Sequence, residues 1–158
     1  MGEKDSIQAA YAHGFRLIKF RPRSEGELRT RLNQRGYPDE IIVSVLAEFK
    51  RKGLIDDVRF ARYFATRQME MQPSGKRVVL QKLKAKGVDV RLASEAVEQA
   101  TEGKSELERA VDVAQSRWAR LQNLPRPVRQ RRLLGFLSRR GFSADVVFRV
   151  ARELEKEE

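Results

Sequence analysis

The sequence contains no cysteine and only one histidine among its 158 residues. The lack of cysteine excludes disulfide bonds and thiolate metal sites. The single histidine, His13, falls on a predicted helix, where we expect an ordinary surface or semi-buried residue rather than a catalytic base. Proline (five residues) and glycine (ten residues) are also scarce, which favours a helical chain.

No apolar run reaches the ~18 residues that a membrane-spanning helix needs, and no signal peptide is recognisable. We therefore expect a cytoplasmic protein. Acidic residues are few relative to basic ones: 22 Asp and Glu against 33 Lys and Arg give a net charge of +11. Such a charge favours an acidic partner, which could be nucleic acid, an acidic protein face or an anionic membrane.

Apolar periodicity and helix-end signals predict nine helices. The first, over residues 7–20, should bury a face made of Ile7, Tyr11, Phe15 and Ile18. Capping boxes of the form Ser-x-x-Glu occur at residues 24–27 and 105–108, where new helices are predicted to start.

Three glycines reveal an internal repeat. Gly36, Gly87 and Gly141 each follow a pair of apolar residues spaced by four, and they are 51 and 54 residues apart. We predict an all-α fold of three tandem three-helix-bundle repeats (residues 7–56, 57–103 and 104–156) in an elongated, curved array. Such an array offers a long face rather than a deep pocket, which favours binding over catalysis.

Two stretches at equivalent repeat positions, residues 71–88 and 124–144, contain no acidic residue. A row of cations can neutralise DNA phosphates, so we predict a binding face here, although Lys and Arg also simply solvate helix surfaces. The candidate residues are Lys76, Arg77, Lys82, Lys84, Lys86, Arg126, Arg129, Arg131, Arg132, Arg139 and Arg140.

Residues 51–64, here called the joint, contain a helix stop and a helix start. Gly53 can close one helix, and Asp56 or Asp57 can cap the next. The apolar residues Leu54, Ile55, Phe60, Ala61 and Phe64 are expected to be buried. Because capping explains at least one of the adjacent carboxylates and no metal-ligand histidine or cysteine accompanies them, we predict no catalytic, cofactor or metal site.

The run Gly53-Leu54-Ile55-Asp56-Asp57, with Phe60-Ala61 and Phe64, resembles the signature of the RecX family of bacterial RecA regulators. The segments 24–37 and 75–88 are similar to that family too, and the likeness extends over residues 9–154. The resemblance implies a non-enzymatic protein that binds the RecA–DNA filament, inhibits its ATPase and strand-exchange activity, and restrains recombination and the SOS response. It implies no cofactor.

We expect a monomer that contacts single- or double-stranded DNA through phosphates and does not bind a membrane. One alternative is a helical-repeat DNA-binding protein acting directly on DNA, with a helix of the first repeat in the major groove. The basic runs fall on the other two repeats, which disfavours this hypothesis. Another alternative is a pure protein-interaction scaffold, whose partner binding would barely change with salt.

Overall fold

The structure is a computed structural model that describes the backbone of residues 3–157 and the side chains of residues 6–157. Over this range the chain forms nine α-helices and no β-strand, which confirms the predicted all-α fold. No helix in the described range has the length and apolar character needed to span a bilayer. The helices are α1 (Glu3–Phe20), α2 (Glu25–Gln34), α3 (Asp39–Arg51), α4 (Asp57–Met71), α5 (Lys76–Ala85), α6 (Val90–Ala100), α7 (Glu106–Arg120), α8 (Arg126–Arg139) and α9 (Ala144–Lys156).

One of the two predicted capping boxes is complete. Ser105 Oγ accepts the Glu108 backbone N–H, and the Glu108 carboxylate accepts the Ser105 N–H. The box predicted at α2 also marks a helix start. Ser24 Oγ accepts the Glu27 N–H, and the backbone of Ser24 helps to lower the pKa of the Glu27 carboxyl, which also pairs with Arg21.

The glycines that revealed the repeat have equivalent backbone conformations. Gly36, Gly87 and Gly141 have φ values of +91°, +77° and +84°, in the left-handed region that closes a helix. In each case the N–H of the following residue donates to the carbonyl of a buried leucine five positions earlier. The three helix ends are therefore the same structural motif.

The chain divides into two compact units. Of the described residues, the first unit contains those up to Phe64 together with Leu83–Ala93, and the second contains Ala65–Lys82 together with those from Ser94 onward. The middle predicted repeat thus contributes to both. In the first unit, α1, α2 and α3 pack around Leu28, Leu32, Ile42, Val45, Leu46 and Phe49. In the second unit, α7, α8 and α9 pack around Trp118, Leu133, Leu137, Val147, Val150 and Leu154.

The buried face predicted for α1 was wrong at two positions. Ile7 and Phe15 are 37% and 42% exposed, whereas Ala10 and Gly14 are buried. A Cβ on Gly14 would lie 2.8 Å from Phe49 Cε2, so the missing side chain allows the Phe49 ring of α3 to pack on the α1 backbone. A search for large apolar residues overlooks this kind of contact, because it depends on small ones.

Candidate functional site

The joint begins with the predicted helix stop. Gly53 has φ +69°, and the Leu54 N–H donates to Phe49 O over 2.8 Å. Ile55 is buried with only 5% of its surface exposed. Asp56 then accepts the backbone N–H groups of Val58 and Arg59 through Oδ1, at 3.0 and 3.3 Å. Asp56 is therefore the cap of α4, as the sequence predicted for one of the two carboxylates.

The second carboxylate of the joint caps a different helix. Asp57 Oδ1 accepts the Glu25 backbone N–H, 2.9 Å away, at the start of α2. Burial raises the pKa of the Asp57 carboxyl, and the hydrogen bond from Glu25 opposes that effect. Glu25 in turn pairs with Lys50 at 2.8 Å. The joint therefore connects α4 to both α2 and α3.

The two phenylalanines of the joint have structural contacts. Phe60 and Ala61 are buried, and the rings of Phe60 and Phe64 stack with centroids 6.0 Å apart. Lys86 Nζ lies 5.2 Å from the Phe64 ring centroid, at a cation–π distance. This contact places Lys86, one of the predicted basic residues, against the joint.

The start of α2 packs closely on the glycine turn that ends α5. Ser24 Oγ donates to Lys86 O over 2.5 Å. A Cβ on Gly26 would lie 2.7 Å from Lys86 O and 2.8 Å from Gly87 Cα. Only glycine at position 26 permits this distance between the two backbones.

The second unit contains an equivalent junction, in which a helix start again packs on a glycine turn. The Gly75 N–H donates to Arg140 O over 2.7 Å, and a Cβ on Gly75 would overlap Gly141 O. In both units, the middle helix of one repeat starts on the glycine turn that ends the middle helix of the next. The second junction brings the first turn of α5, with Lys76 and Arg77, beside the last turn of α8.

Most of the predicted basic residues are on the surface. Three of them, Lys76, Lys86 and Arg140, are half-buried. The exposed residues are Arg77, Lys82, Lys84, Arg126, Arg131, Arg132 and Arg139. These exposed residues are available for a partner, but whether they contact one stays a prediction.

Arg129 does not belong to this exposed set. Its side chain is buried, its guanidinium carbon lies 3.6 Å from the Trp118 ring centroid, and Nε and Nη2 donate to Trp118 O. Trp118 O lies in the last turn of α7 and also accepts the Leu121 backbone N–H over 3.1 Å. The sequence-based placement of Arg129 on the binding face conflicts with this burial, and we assign it a structural role.

Both half-buried lysines of the candidate set have acidic partners. Lys76 Nζ lies 2.6 Å from Glu98, and Lys86 Nζ lies 3.8 Å from Glu27. Burial by itself would raise the pKa of the Glu27 carboxyl, but the Arg21 hydrogen bond and the nearby charges of Lys86 and Arg21 outweigh it and lower that pKa. The ion pairs make Lys76 and Lys86 weaker candidates for partner contacts than the exposed cations.

An arginine that the sequence analysis did not select joins the basic surface. Arg117, on α7, places its guanidinium carbon 5.0 Å from the Phe136 ring centroid, and Arg140 places its own at 4.9 Å. Arg117 was missed because α7 contains acidic residues and lies outside the acid-free stretches. Its position in the basic last turn of α7 was the one available signal.

The described residues contain no group of three or more His, Asp or Glu side chains that could hold a metal ion. The ring of His13 lies 6.4 Å from that of Tyr37. Burial lowers the pKa of His13, and the charges of Arg35 and Arg16 lower it further.

The helical repeats and the exposed cations on α5 and α8 define a basic helical-repeat protein. The chain belongs to the RecX family of regulatory proteins. Family models of the first, second and third RecX three-helix domains match residues 10–49, 56–97 and 104–151. This result confirms the resemblance that the joint suggested.

Several regulatory proteins named RecX are similar over most of their length. The one from Thermobifida fusca is 34% identical over 150 residues, which are 95% of this chain and 80% of the relative. The one from Streptomyces coelicolor is 32% identical over 155 residues, covering 98% of this chain and 82% of the relative. A relative from Mycolicibacterium smegmatis is 34% identical over 139 residues, covering 85% and 73% of the two chains.

Solved structures support the fold. The crystal structure of RecX from Lactobacillus salivarius matches with a TM-score of 0.78 at 21% identity, covering 96% of this chain and 98% of that one. A second crystal structure, of a regulatory protein RecX, matches with a TM-score of 0.76 at 22% identity, covering 98% and 75% of the two chains.

Proposed function

We propose that this protein binds the RecA–DNA filament in the cytoplasm and inhibits its ATPase and strand-exchange activity, thereby restraining recombination and the SOS response. The protein acts by binding and not by catalysis. Membership of the RecX family of regulatory proteins supports the proposal. The observation that carries it is the exposure of cations along two acid-free helices, α5 and α8.

The exposed cations are suited to a partner that combines acidic protein with DNA phosphate. Each phosphate that a cation neutralises releases a counterion, so affinity falls with salt at a log–log slope of about −0.9 per contact on duplex DNA. Arg131 and Arg132 on α8 and Arg77 and Lys82 on α5 are the residues we expect to contribute most. Arg129 is excluded because its guanidinium is bound to Trp118.

A protein acting directly on DNA, without RecA, is the alternative. A helix-turn-helix protein reads bases with the first residues of its recognition helix. In the first repeat that helix is α3, and its first turn carries the exposed acids Asp39 and Glu40. Their charge would repel phosphates, so this alternative is disfavoured.

The test is the DNA-stimulated ATPase activity of the cognate RecA, measured at increasing concentrations of this protein and at several salt concentrations. We expect inhibition at or below one protein per RecA subunit, and weaker inhibition as salt rises. Absence of inhibition at low salt by folded protein would overturn the proposal. Tight, sequence-selective binding to duplex DNA without RecA would support the alternative.

A further inference from the structure

Two arginines from different parts of the chain contact the same aromatic ring in the second unit. The guanidinium carbons of Arg117 and Arg140 lie 5.0 and 4.9 Å from the Phe136 ring centroid. We call these three residues the Phe136 clamp. Arg117 comes from the last turn of α7, Phe136 from α8 and Arg140 from the residue that follows α8.

The two positive charges of the clamp are not neutralised. Within the part of the chain that the structure describes, neither guanidinium has a carboxylate within the 4.0 Å of an ion pair. Burial lowers the pKa of Arg140, and the positive charge of Arg117 lowers it further. Two like charges held together in this way repel each other. An anion that binds between them is attracted by both charges and also reduces their repulsion.

The clamp is also preorganised. Arg140 Nη1 donates to Pro73 O over 3.4 Å, and its own carbonyl accepts the Gly75 N–H. The Arg140 guanidinium is therefore held in place by the hydrogen bond to Pro73 O and by the Phe136 ring, so a ligand that binds it costs less side-chain entropy.

The surroundings of the clamp extend its positive charge. Arg132 lies one helical turn before Phe136 on the same face of α8, and the exposed Arg131 and Arg139 lie two turns apart, about 12 Å along the helix. Residues 124–144 contain no acid, and every cation among them is arginine. Arginine presents a planar pair of donors that matches a phosphate, whereas lysine is a point charge.

We infer that the Phe136 clamp binds a backbone phosphate of DNA. This inference rests on the proposed function, in which DNA is part of the partner, and assigns the DNA contact to α7 and α8. Duplex DNA carries one charge for about every 1.7 Å of its axis, a density that matches closely spaced, unneutralised arginines. A protein surface, on which acids and bases alternate, matches such a patch less well.

The test measures binding of the full chain to DNA with no RecA present. Fluorescence anisotropy with a labelled oligothymidine and with a labelled duplex distinguishes single-stranded from double-stranded DNA as the source of the phosphate. The double variant Arg117→Gln/Arg140→Gln should bind at least one of them about tenfold more weakly and reduce the slope of log Kd against log salt by about 1 to 2.

The matched control is Arg149→Gln/Arg152→Gln, which removes two charges from exposed positions of α9. We expect it to change Kd by less than about threefold, because it alters only the long-range field. Equally weakened DNA binding in both double variants would show that only net charge matters, and would overturn the inference. Unchanged binding by the clamp variant would overturn it as well.

Two further variants test whether weaker DNA binding results from misfolding or from the loss of charge alone. Arg117→Gln alone removes no hydrogen bond, so it should stay folded and still weaken binding. Phe136→Leu retains both charges but removes the ring, and we expect weakening by about threefold. If neither weakens binding while circular dichroism shows folded protein, the clamp has no role in DNA binding.

The RecA ATPase assay separates this inference from the proposed function. A clamp variant that binds DNA normally but no longer inhibits RecA would overturn the DNA assignment and leave the proposed function intact. A variant that loses DNA binding and still inhibits would support the clamp and place inhibition at other contacts. Wild-type protein that binds DNA but never inhibits RecA would overturn only the proposed function.

Discussion

The Asp57 carboxylate accepts the Glu25 backbone N–H over 2.9 Å, across 32 positions of the sequence. Through this bond the first residue of α4 caps the first residue of α2. The adjacent Asp56 caps α4 itself. The paired acids of the joint therefore have separate structural functions, and both functions concern helix N-termini, where a negative charge is favourable.

Replacing Asp57 with alanine should reduce the free energy of unfolding by about 1 kcal/mol, since the Glu25 N–H loses its acceptor. Asp57→Asn should retain most of the stability, because the amide oxygen can accept the same hydrogen bond. Urea unfolding followed by circular dichroism measures the difference. Equal loss in both variants would show that the charge, rather than the hydrogen bond, is required.

Gly26 should not tolerate a side chain. In Gly26→Ala the Cβ would lie 2.7 Å from Lys86 O, and the backbone must move, which costs about 1–3 kcal/mol. Gly135→Ala is the control: its Cβ would meet only the flexible end of Arg139, and alanine favours a helix by up to about 1 kcal/mol. The midpoint temperature of thermal unfolding should fall for Gly26→Ala and should stay the same or rise for Gly135→Ala.

Arg129 should be required for stability rather than for binding. Arg129→Ala removes both guanidinium hydrogen bonds to Trp118 O and the cation–π contact with the Trp118 ring, and should reduce the unfolding free energy by about 1–3 kcal/mol. Because Trp118 is the single tryptophan, its fluorescence should also change. Arg131→Ala, at an exposed position of the same helix, should change stability by no more than about 0.5 kcal/mol. Equal stability of the two variants would contradict the structural role.

Glu27 gives the fold a dependence on acid pH. The pKa of its carboxyl is below the ordinary value of 4.5 in the folded protein, so its contribution is present above pH ~4.5 and is lost as the pH falls through the folded pKa. Glu27→Gln should cost about 1 kcal/mol at pH 7, because Arg21 is partly exposed and the pair is screened by solvent.

The difference between wild type and Glu27→Gln should shrink below pH ~4.5, as measured by urea unfolding at several pH values. Glu153→Gln, which neutralises an exposed carboxylate on α9, serves as the control. A difference that stays constant down to pH 3 would show that the carboxylate charge contributes nothing.

Local signals predicted much of the fold. The glycine turns, the Ser105 capping box and the helix stop at Gly53 depend on residues within one or two turns, so the sequence contains all the information they need. The repeat followed from the same glycines. The contacts of Asp57 with α2 and of Gly26 with the α5 turn join distant segments, and no local pattern specifies such a partner.

The candidate surface was predictable as a composition but not residue by residue. Arg129 and Arg131 lie two positions apart in the same acid-free stretch, yet one is buried over Trp118 and the other is exposed. Helical geometry points them in different directions, and the position of Trp118 on α7 decides the outcome. Arg117 was missed for the opposite reason, since it enters the basic surface from a helix of mixed charge.

The most direct test of the account is inhibition of RecA by a charge-reversed surface. Arg131→Glu, Arg132→Glu and Arg139→Glu in one chain reverse three exposed cations of α8, while Arg149→Glu, Arg152→Glu and Lys156→Glu in another reverse three exposed cations of α9. With both chains folded, we expect the α8 variant to lose inhibition of DNA-stimulated ATP hydrolysis by at least about tenfold in effective concentration and the control to lose much less. Full inhibition by the α8 variant would contradict the claim that this basic surface contacts the filament.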